Sequence, residues 1–201
     1  DPGFDEVVVA DVREDDARAF AEGFDDPGVT GVAVDATSGE DLRTVLEGAD
    51  VAVGCIGPFY RFGAPVLAAA IDSGVDLVDV CDDLDATKTQ LALDAAAEEA
   101  GVCAVIGMGN SPGLANLFAR YAFDDLLDQT LAVDIMHVHG GEPSEGPAVI
   151  KHRIHAMVDD VPLWVDGAFT EVRLLEESGR AFVVETDFPA VGRVPVYPYP
   201  H

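Results

Sequence analysis

The sequence predicts an α/β protein with a doubly wound parallel sheet, followed by part of a second α+β unit. Short β-branched runs alternate with segments of helical spacing through residues 6–122, and a few residues connect each pair. Near Leu131 the pattern changes to closely spaced apolar runs separated by turns. Alternating strands and helices with short links form a parallel sheet covered on both faces, and right-handed crossovers wind it in two directions.

The strands of the first unit are recognised by runs rich in valine, and several of them end in an acid. They are predicted at residues 6–11, 29–35, 50–56, 75–81 and 102–107. Because ligands of such folds bind at the carboxyl ends of the strands, the residues after each strand are the candidate site.

The helices between these strands are marked by apolar side chains at helical spacing. They are predicted at residues 16–24, 42–46, 63–73 and 86–100, and again after residue 112. Pro65 lies near the first turn of the third helix, where its missing N–H is harmless. Gly74 and Gly101 are expected C-caps, and Ser111-Pro112 is expected to cap and open the last helix.

The second unit has the signals of antiparallel structure. Residues 131–138 alternate as a strand, Asp166-Gly167 lies between two apolar runs as a hairpin turn does, and residues 177–180 resemble another turn. We assign residues 1–128 to the first unit and 129–201 to the second. A unit as short as the second would form a poor core alone, so we expect further sequence beyond it.

The composition excludes several classes of protein. The chain has 38 acidic and 11 basic residues, a net charge of -27, so nucleic-acid binding, which needs clustered Lys and Arg, is not expected. Acids spread through well-patterned segments suggest adaptation to high salt, where self-repulsion is screened. No apolar run is long enough to span a membrane and no signal peptide opens the chain. Three cysteines within or at the end of apolar runs suggest buried free thiols and a cytoplasmic protein.

Two acids end the first two visible strands. In a dinucleotide-binding (Rossmann-like) sheet, an acid after the second strand binds the adenosine ribose, and Asp11 with Val12 and Arg13 fits that place. We then expect the first strand and its glycine loop to lie upstream of this chain. An acid repels a ribose 2′-phosphate, which favours NAD, whereas Arg13 keeps NADP possible. Asp35, followed by Ala36, could accept the adenine amino group; helix capping and salt adaptation are equal alternatives for it.

The third strand runs into a glycine-flanked loop, GCIGPFYRFG, at residues 54–63. Glycines let the backbone approach a ligand closely, and a plain turn would not need three aromatic residues. We therefore expect cofactor contacts from Cys55, Ile56, Gly57, Pro58 and Phe59.

The fifth strand is followed by a second glycine-rich loop, GMGNSPG, at residues 107–113. It could be taken for a phosphate loop, but a strand ending in an acid should then follow about 20 residues later. The next predicted strand ends in histidines instead, so we expect this loop to line the ligand crevice, with Gly109 and Asn110 at the cofactor.

The fourth strand ends in Cys81, Asp82 and Asp83, with Asp85 beyond. These carboxylates could face a cation, and one of them could act as a general base. The alternative is a solvated acidic loop in which Asp85 caps the next helix. Cys81 could contact a ring or react. We keep Asp82, Asp83 and Cys81 as catalytic candidates, and Cys81 also as a cofactor contact.

These motifs together resemble the saccharopine dehydrogenase and carboxynorspermidine dehydrogenase superfamily. The resemblance rests on a strand ending in Asp, then GCIGPFYRFG, GVDLVDVCDD and GMGNSPGLANLFA in this order over residues 6–122. It implies a nicotinamide-dependent oxidoreductase whose substrates are amino acids or polyamines joined through a secondary amine, and a homodimer built through the second unit. The expected substrate contacts are Tyr60, Asn110, Ser111, Pro112 and His137.

Two departures from the superfamily qualify this expectation. Its N-terminal glycine loop is missing here, so we expect the fragment alone to be inactive, and the acid Asp11 departs from members that use NADP. The alternative is a non-catalytic nucleotide-binding or assembly protein that keeps the fold. A phosphate-accepting receiver domain does not fit, because its acid after the third strand and its lysine after the fifth are missing. The histidine pairs 137/139 and 152/155 lack a recognisable carboxylate pattern, so no metal site is expected.

Overall fold

The structure is a computed structural model that describes residues 3–136, 138, 146–158 and 160–200. Its first part alternates strands and helices as the sequence predicts: β1 (Val7–Asp11), α1 (Glu14–Glu22), β2 (Val29–Ala33), α2 (Gly39–Leu46), β3 (Val51–Gly54), α3 (Phe59–Ser73), β4 (Asp76–Asp79), α4 (Leu84–Leu91), α5 (Asp94–Ala100), β5 (Ala104–Val105) and α6 (Leu114–Tyr121), which runs into a π-helical turn (Ala122–Leu126). Its second part contains α7 (Pro147–Val158), β6 (Val161–Val165), β7 (Ala168–Val172), α8 (Glu177–Arg180), β8 (Val184–Phe188) and β9 (Gly192–Val196).

All strands of the first part pair in parallel, which confirms the predicted α/β class. β1 pairs with β2, and β4 lies between β3 and β5 in a second parallel sheet. No hydrogen-bonded ladder joins the two sheets among the described strands, so the single predicted sheet is found as two pieces. The apolar edge of β3 remains exposed to solvent, with Val53 at 68%.

The core lies where α2 and α3 cover β2 and β4. Ala70 of α3 and Leu77 of β4 are almost wholly buried there, beside Leu42 and Leu46 of α2. On β2, a side chain at Gly31 would meet the backbone of Ala17 and Arg18, so only glycine lets α1 approach the strand this closely.

Several helix limits differ from the prediction. α3 begins at Phe59, four residues before the predicted start, so Pro65 lies inside the helix rather than in its first turn. Gly74 and Gly101 do end their helices in the left-handed conformation, as expected. The single predicted helix 86–100 is two helices, because the chain turns at Leu93, which packs against the core.

The second part contains two antiparallel hairpins. Asp166 and Gly167 have φ angles of 51° and 81° and join β6 to β7, which confirms the predicted turn. The other hairpin pairs β8 with β9. The prediction of a strand at residues 131–138 is wrong for residues 131–136 and 138, which the structure describes. Apolar side chains alternate there and would form one apolar face, but no neighbouring strand pairs with these residues. Residues 177–180 form the short helix α8 rather than a turn.

None of the helices within the described residues combines the length and the apolar character needed to cross a membrane.

Candidate functional site

The loops that follow β3, β4 and β5 meet at the carboxyl ends of these strands. The Val80 amide donates to the carbonyl of Gly54 (3.3 Å), and the Met108 amide donates to the carbonyl of Asp79 (2.7 Å). The loops at residues 55–58, 80–83 and 106–113, which include parts of the predicted loops 54–63 and 107–113, therefore form one rim, as expected for parallel strands.

A buried carboxylate within β4 holds this rim together. Asp79 is 2% exposed; its Oδ1 accepts the amides of Cys81 (3.0 Å) and Gly107 (2.9 Å), and its Oδ2 accepts Nε2 of Gln90 (2.5 Å). A side chain at Gly54 would stand 3.0 Å from Cβ of Asp79, so glycine is needed beside it. One side chain thus fixes two backbone segments and the side chain of Gln90.

Asp11 lies at the end of β1, where a ribose-binding acid is expected. Its Oδ1 accepts the Arg13 amide (2.9 Å), and the Arg13 guanidinium lies 3.6 Å from Asp11 and 2.7 Å from Asp16. Val12 is exposed between them. The strand end therefore presents both an anion and a cation to solvent.

Asp35 follows β2 and is exposed. Its Oδ1 accepts both the amide and the hydroxyl of Thr37 (2.8 and 2.7 Å), and these bonds hold the pKa of the carboxyl below its ordinary value. Arg61 of α3 adds a smaller lowering of that pKa, which shows that the start of α3 lies near this strand end. Ser38, not Asp35, caps α2, and the adjacent Ala36 is buried in the core.

The loop after β3 divides its residues between interior and surface. Cys55 and Ile56 are exposed, and Gly57-Pro58 is a cis peptide. Phe59 is buried against Cys81 and Ala86, so its ring supports the loop from behind and does not face a ligand.

Tyr60 is the exposed aromatic side chain at the start of α3. Its ring centroid lies 4.5 Å from that of His155 on α7, with the two rings tilted by 43°. This contact brings a predicted substrate residue against the second part of the chain.

The loop after β5 is a tight turn. Gly109 and Gly113 form a bridge, and Gly113 has a φ of 120° that disfavours a side chain. Gly113 caps α6, with its amide donating to Oδ1 of Asn116 (2.9 Å), so the predicted cap at Ser111 is wrong. Ser111-Pro112 is a cis peptide before the helix, and Asn110 is exposed on the turn.

The acids after β4 face two histidines of α7. Asp83 caps α4 by accepting the Ala86 amide with Oδ1 (3.0 Å), a role predicted for Asp85. Its Oδ2 lies 3.7 Å from Nδ1 of His152 and 3.8 Å from Nε2 of His155. Asp82 Oδ2 lies 3.4 Å from Nε2 of His152.

Tyr199, near the end of the chain, completes this group. Its hydroxyl lies 3.3 Å from Nε2 of His152, which is 8% exposed. We call Asp82, Asp83, His152 and Tyr199 the acid–histidine cluster. The sequence showed the two histidines on a helix but not what they face.

Burial raises the pKa of two members of this cluster, Asp82 and Tyr199. Desolvation raises the pKa of Asp82, an effect that His152 partly offsets. Desolvation and then the charge of Asp82 raise the pKa of Tyr199. The Cys81 thiol is wholly buried against the carbonyl of Asp83 and the hydroxyl of Thr87, and burial raises its pKa, which favours packing over reactivity.

A cavity of about 260 Å³ opens beside the cluster, between the two parts of the chain. Nδ1 of His152, which lies on its wall, is buried without a hydrogen-bond partner among the described residues. Within the same residues no three His, Cys, Asp or Glu side chains are grouped to hold a metal ion. His137 lies outside the described residues. The acidic lining consists of Asp82, Asp83, Asp85, Asp160 and Glu171, with Lys88 as a cation.

Comparisons with known proteins agree with this fold. Residues 1–105 match the family described as the saccharopine dehydrogenase NADP binding domain. Carboxynorspermidine synthase of Vibrio alginolyticus is 29% identical over 107 residues, which are 52% of this chain and 25% of that protein. A solved structure of apo saccharopine dehydrogenase (L-Glu forming) from Saccharomyces cerevisiae superposes with a TM-score of 0.65 at 22% identity, covering 96% of this chain and 44% of that one. The chain thus spans less than half of either relative.

Proposed function

This chain belongs to the family of saccharopine dehydrogenase NADP-binding domains, and from that premise we propose that the protein is a nicotinamide-dependent oxidoreductase acting at a C–N bond. The family is one of oxidoreductases. The proposal adds the reaction, hydride transfer at the carbon next to a secondary amine, and the substrate class, an amine or amino acid.

One observation carries the proposal. Carboxylates of the loop after β4 stand on the same rim as the glycine loops after β3 and β5, and they border a cavity. Such a rim is where α/β sheets bind ligands, and a cationic nitrogen would be attracted to Asp82 and Asp83.

The residues at the rim fit a dinucleotide. Asp11 can accept ribose hydroxyls and Arg13 can pair with a 2′-phosphate. Asp35 is exposed and, although its Oδ1 is bonded to Thr37, could also accept the adenine amino group. Gly57 and Gly109 lie in the loops after β3 and β5, and Asn110 is exposed beside Gly109. These loops would border the nicotinamide ring. When bound, the nicotinamide supplies or accepts the hydride.

The chain's own residues would bind and orient the substrate. Asp82 and Asp83, on the wall of the cavity, would hold the nitrogen and exchange its proton. Tyr60, at the start of α3, and Ser111 and Pro112, on the loop after β5, would contact the rest of the substrate. Cys81 supports this loop from the interior.

The choice between NAD and NADP can be tested at β1. We expect Arg13→Ala to weaken NADPH binding about tenfold or more, since a charge-assisted phosphate contact is lost, and to leave NADH binding within about threefold. Asp11→Asn should weaken NADH more than NADPH. Nicotinamide fluorescence of the full-length protein measures both, and equal effects of each variant on the two cofactors would contradict these roles.

The reaction itself is tested by amine-dependent reduction of NAD(P) by the full-length protein. Because Asp82→Asn removes the general base, we expect its turnover to fall about a hundredfold, and this result would support the proposal. Binding of a dinucleotide without turnover on any amine or amino acid would favour the alternative, a nucleotide-binding assembly protein.

We also propose a cytoplasmic homodimer built through residues 129–201. Exposed Trp164 and Phe169, stacked edge to face at 4.9 Å on the β6–β7 hairpin, supply apolar surface for a partner. Trp164→Glu should shift the sedimentation of full-length protein from dimer to monomer; a monomeric wild type would contradict the proposal.

A further inference from the structure

The acid–histidine cluster joins groups from three distant places in the sequence at one ring. Nε2 of His152 lies 3.4 Å from Asp82 and 3.3 Å from Tyr199, and Nδ1 lies 3.7 Å from Asp83. A buried ring between two carboxylates and a phenol is costly unless protons are shared among them.

The members of the cluster differ in their access to the cavity. Asp83 is 3% exposed in its side chain and is occupied as the cap of α4, whereas Asp82 is 39% exposed. Asp82 is therefore the more accessible of the two carboxylates to a ligand in the cavity. His152, whose side chain is 10% exposed, contacts Asp82, and Tyr199 contacts His152.

We propose that His152 and Tyr199 are positioning residues that set the proton affinity of Asp82, which exchanges the proton of the substrate nitrogen. This inference rests on the proposed function. It assigns roles to two residues of the second part of the chain in the chemistry of a loop in the first.

The proton and electron count of the step is complete. A bound secondary ammonium gives one N–H proton to the Asp82 carboxylate, leaving a neutral amine. The C–H bond next to nitrogen then breaks, its electron pair leaves as hydride to the oxidised nicotinamide, and the nitrogen lone pair forms the C=N bond of an iminium. In the reverse direction Asp82 returns the proton to nitrogen.

In this proposal His152 acts on Asp82 through its charge, with Nε2 3.4 Å from the Asp82 carboxylate. Its cationic form stabilises the Asp82 carboxylate and so lowers the pKa of Asp82, against the effect of burial. Among the residues that the structure describes, the charged and titratable groups facing His152 are Asp82, Asp83 and Tyr199, with His155 on the same helix. Arg153 lowers the pKa of Tyr199 slightly.

The test follows the Asp82 carboxyl by carbon NMR against pH in full-length protein. In His152→Gln the pKa of Asp82 should rise, because the stabilising cation is gone. His155→Gln is the matched control, since its ring faces Asp83, and it should leave the Asp82 titration where it is in the wild type. An Asp82 titration that does not move in His152→Gln would overturn the inference.

Kinetics supply the second readout. The acid limb of the kcat/KM profile should move to higher pH in His152→Gln, in the same direction as the Asp82 titration. Tyr199→Phe removes only a hydroxyl, and it replaces His152→Gln as the test if that variant does not fold. We expect the kcat of Tyr199→Phe to fall about tenfold, with its KM for the dinucleotide unchanged. Wild-type kcat in Tyr199→Phe, or an unshifted profile in His152→Gln, would overturn the inference.

Different results would contradict the proposed function and the role of the acid–histidine cluster. A wild-type protein without dinucleotide-dependent turnover overturns the proposed function and, with it, this use of the cluster. Normal turnover in both wild type and variants overturns this inference alone.

Discussion

Removing the buried carboxylate of Asp79 should destabilise the protein more than removing any exposed acid. Asp79→Ala leaves the amides of Cys81 and Gly107 and the side-chain amide of Gln90 without their acceptor. Each buried donor left unsatisfied costs about 1–3 kcal/mol, and part of the loss is offset because a buried charge is also removed. We expect a decrease in the free energy of unfolding of about 3–5 kcal/mol.

Asp79→Asn provides a finer comparison. Its amide oxygen still accepts the two backbone N–H groups, and the new NH₂ faces Gln90. Because Oε1 of Gln90 is buried without a hydrogen-bond partner among the described residues, that amide can turn over and accept. The free energy of unfolding of Asp79→Asn should then decrease by about 1 kcal/mol, because only the charge is lost.

Asp76, on the same strand, is the matched control. Its Oδ1 accepts the Cys103 amide (2.8 Å) but is exposed, so water can replace it, and Asp76→Ala should cost less than about 1 kcal/mol. Urea unfolding followed by circular dichroism measures all three variants, with an unchanged slope expected. Equal losses in Asp79→Ala and Asp76→Ala would refute the argument that burial makes Asp79 the anchor of the rim.

Three other outcomes are expected. Burial raises the pKa of Asp82, so the stability that this carboxyl contributes below its unfolded pKa is lost as pH rises through its higher folded pKa. The free energy of unfolding of Asp82→Asn should therefore increase relative to that of the wild type between acid and neutral pH. Urea titrations measure this difference, and a difference that does not change with pH would contradict the prediction. Gly31→Ala forces a methyl group into the backbone of Ala17 and Arg18, and the midpoint of urea unfolding should fall by an amount equivalent to about 1–3 kcal/mol; an unchanged midpoint would show that α1 can move away. With a net charge of -27, the wild type should melt at higher temperature in molar salt than at low ionic strength, and equal melting temperatures would sink the proposed salt adaptation.

The local backbone of the first part could be predicted because its causes are local. β-Branched runs, helical spacing and glycine after the last helical residue act over a few neighbours, and Gly74, Gly101 and the Asp166-Gly167 turn adopt the expected conformations. The predictions failed where a distant neighbour decides the outcome. Residues 131–136 alternate correctly but pair with no strand, and Leu93 interrupts a helix because the core lies on that side.

The sequence by itself determined the α/β class, the order along the chain of the loops that follow the parallel strands, and the family resemblance. These properties depend on patterns within short windows of sequence. Only the tertiary structure decided what stands at the site. In the sequence Asp79 is one acid within a strand, and only the structure shows that the amide of Gly107, 28 positions away, donates to it. Likewise, only the structure shows the contact between His152 and Tyr199, which are 47 positions apart. Periodicity reports which face of an element is buried, whereas the partner of a buried polar group depends on how distant elements pack, and burial then shifts the pKa of Asp82.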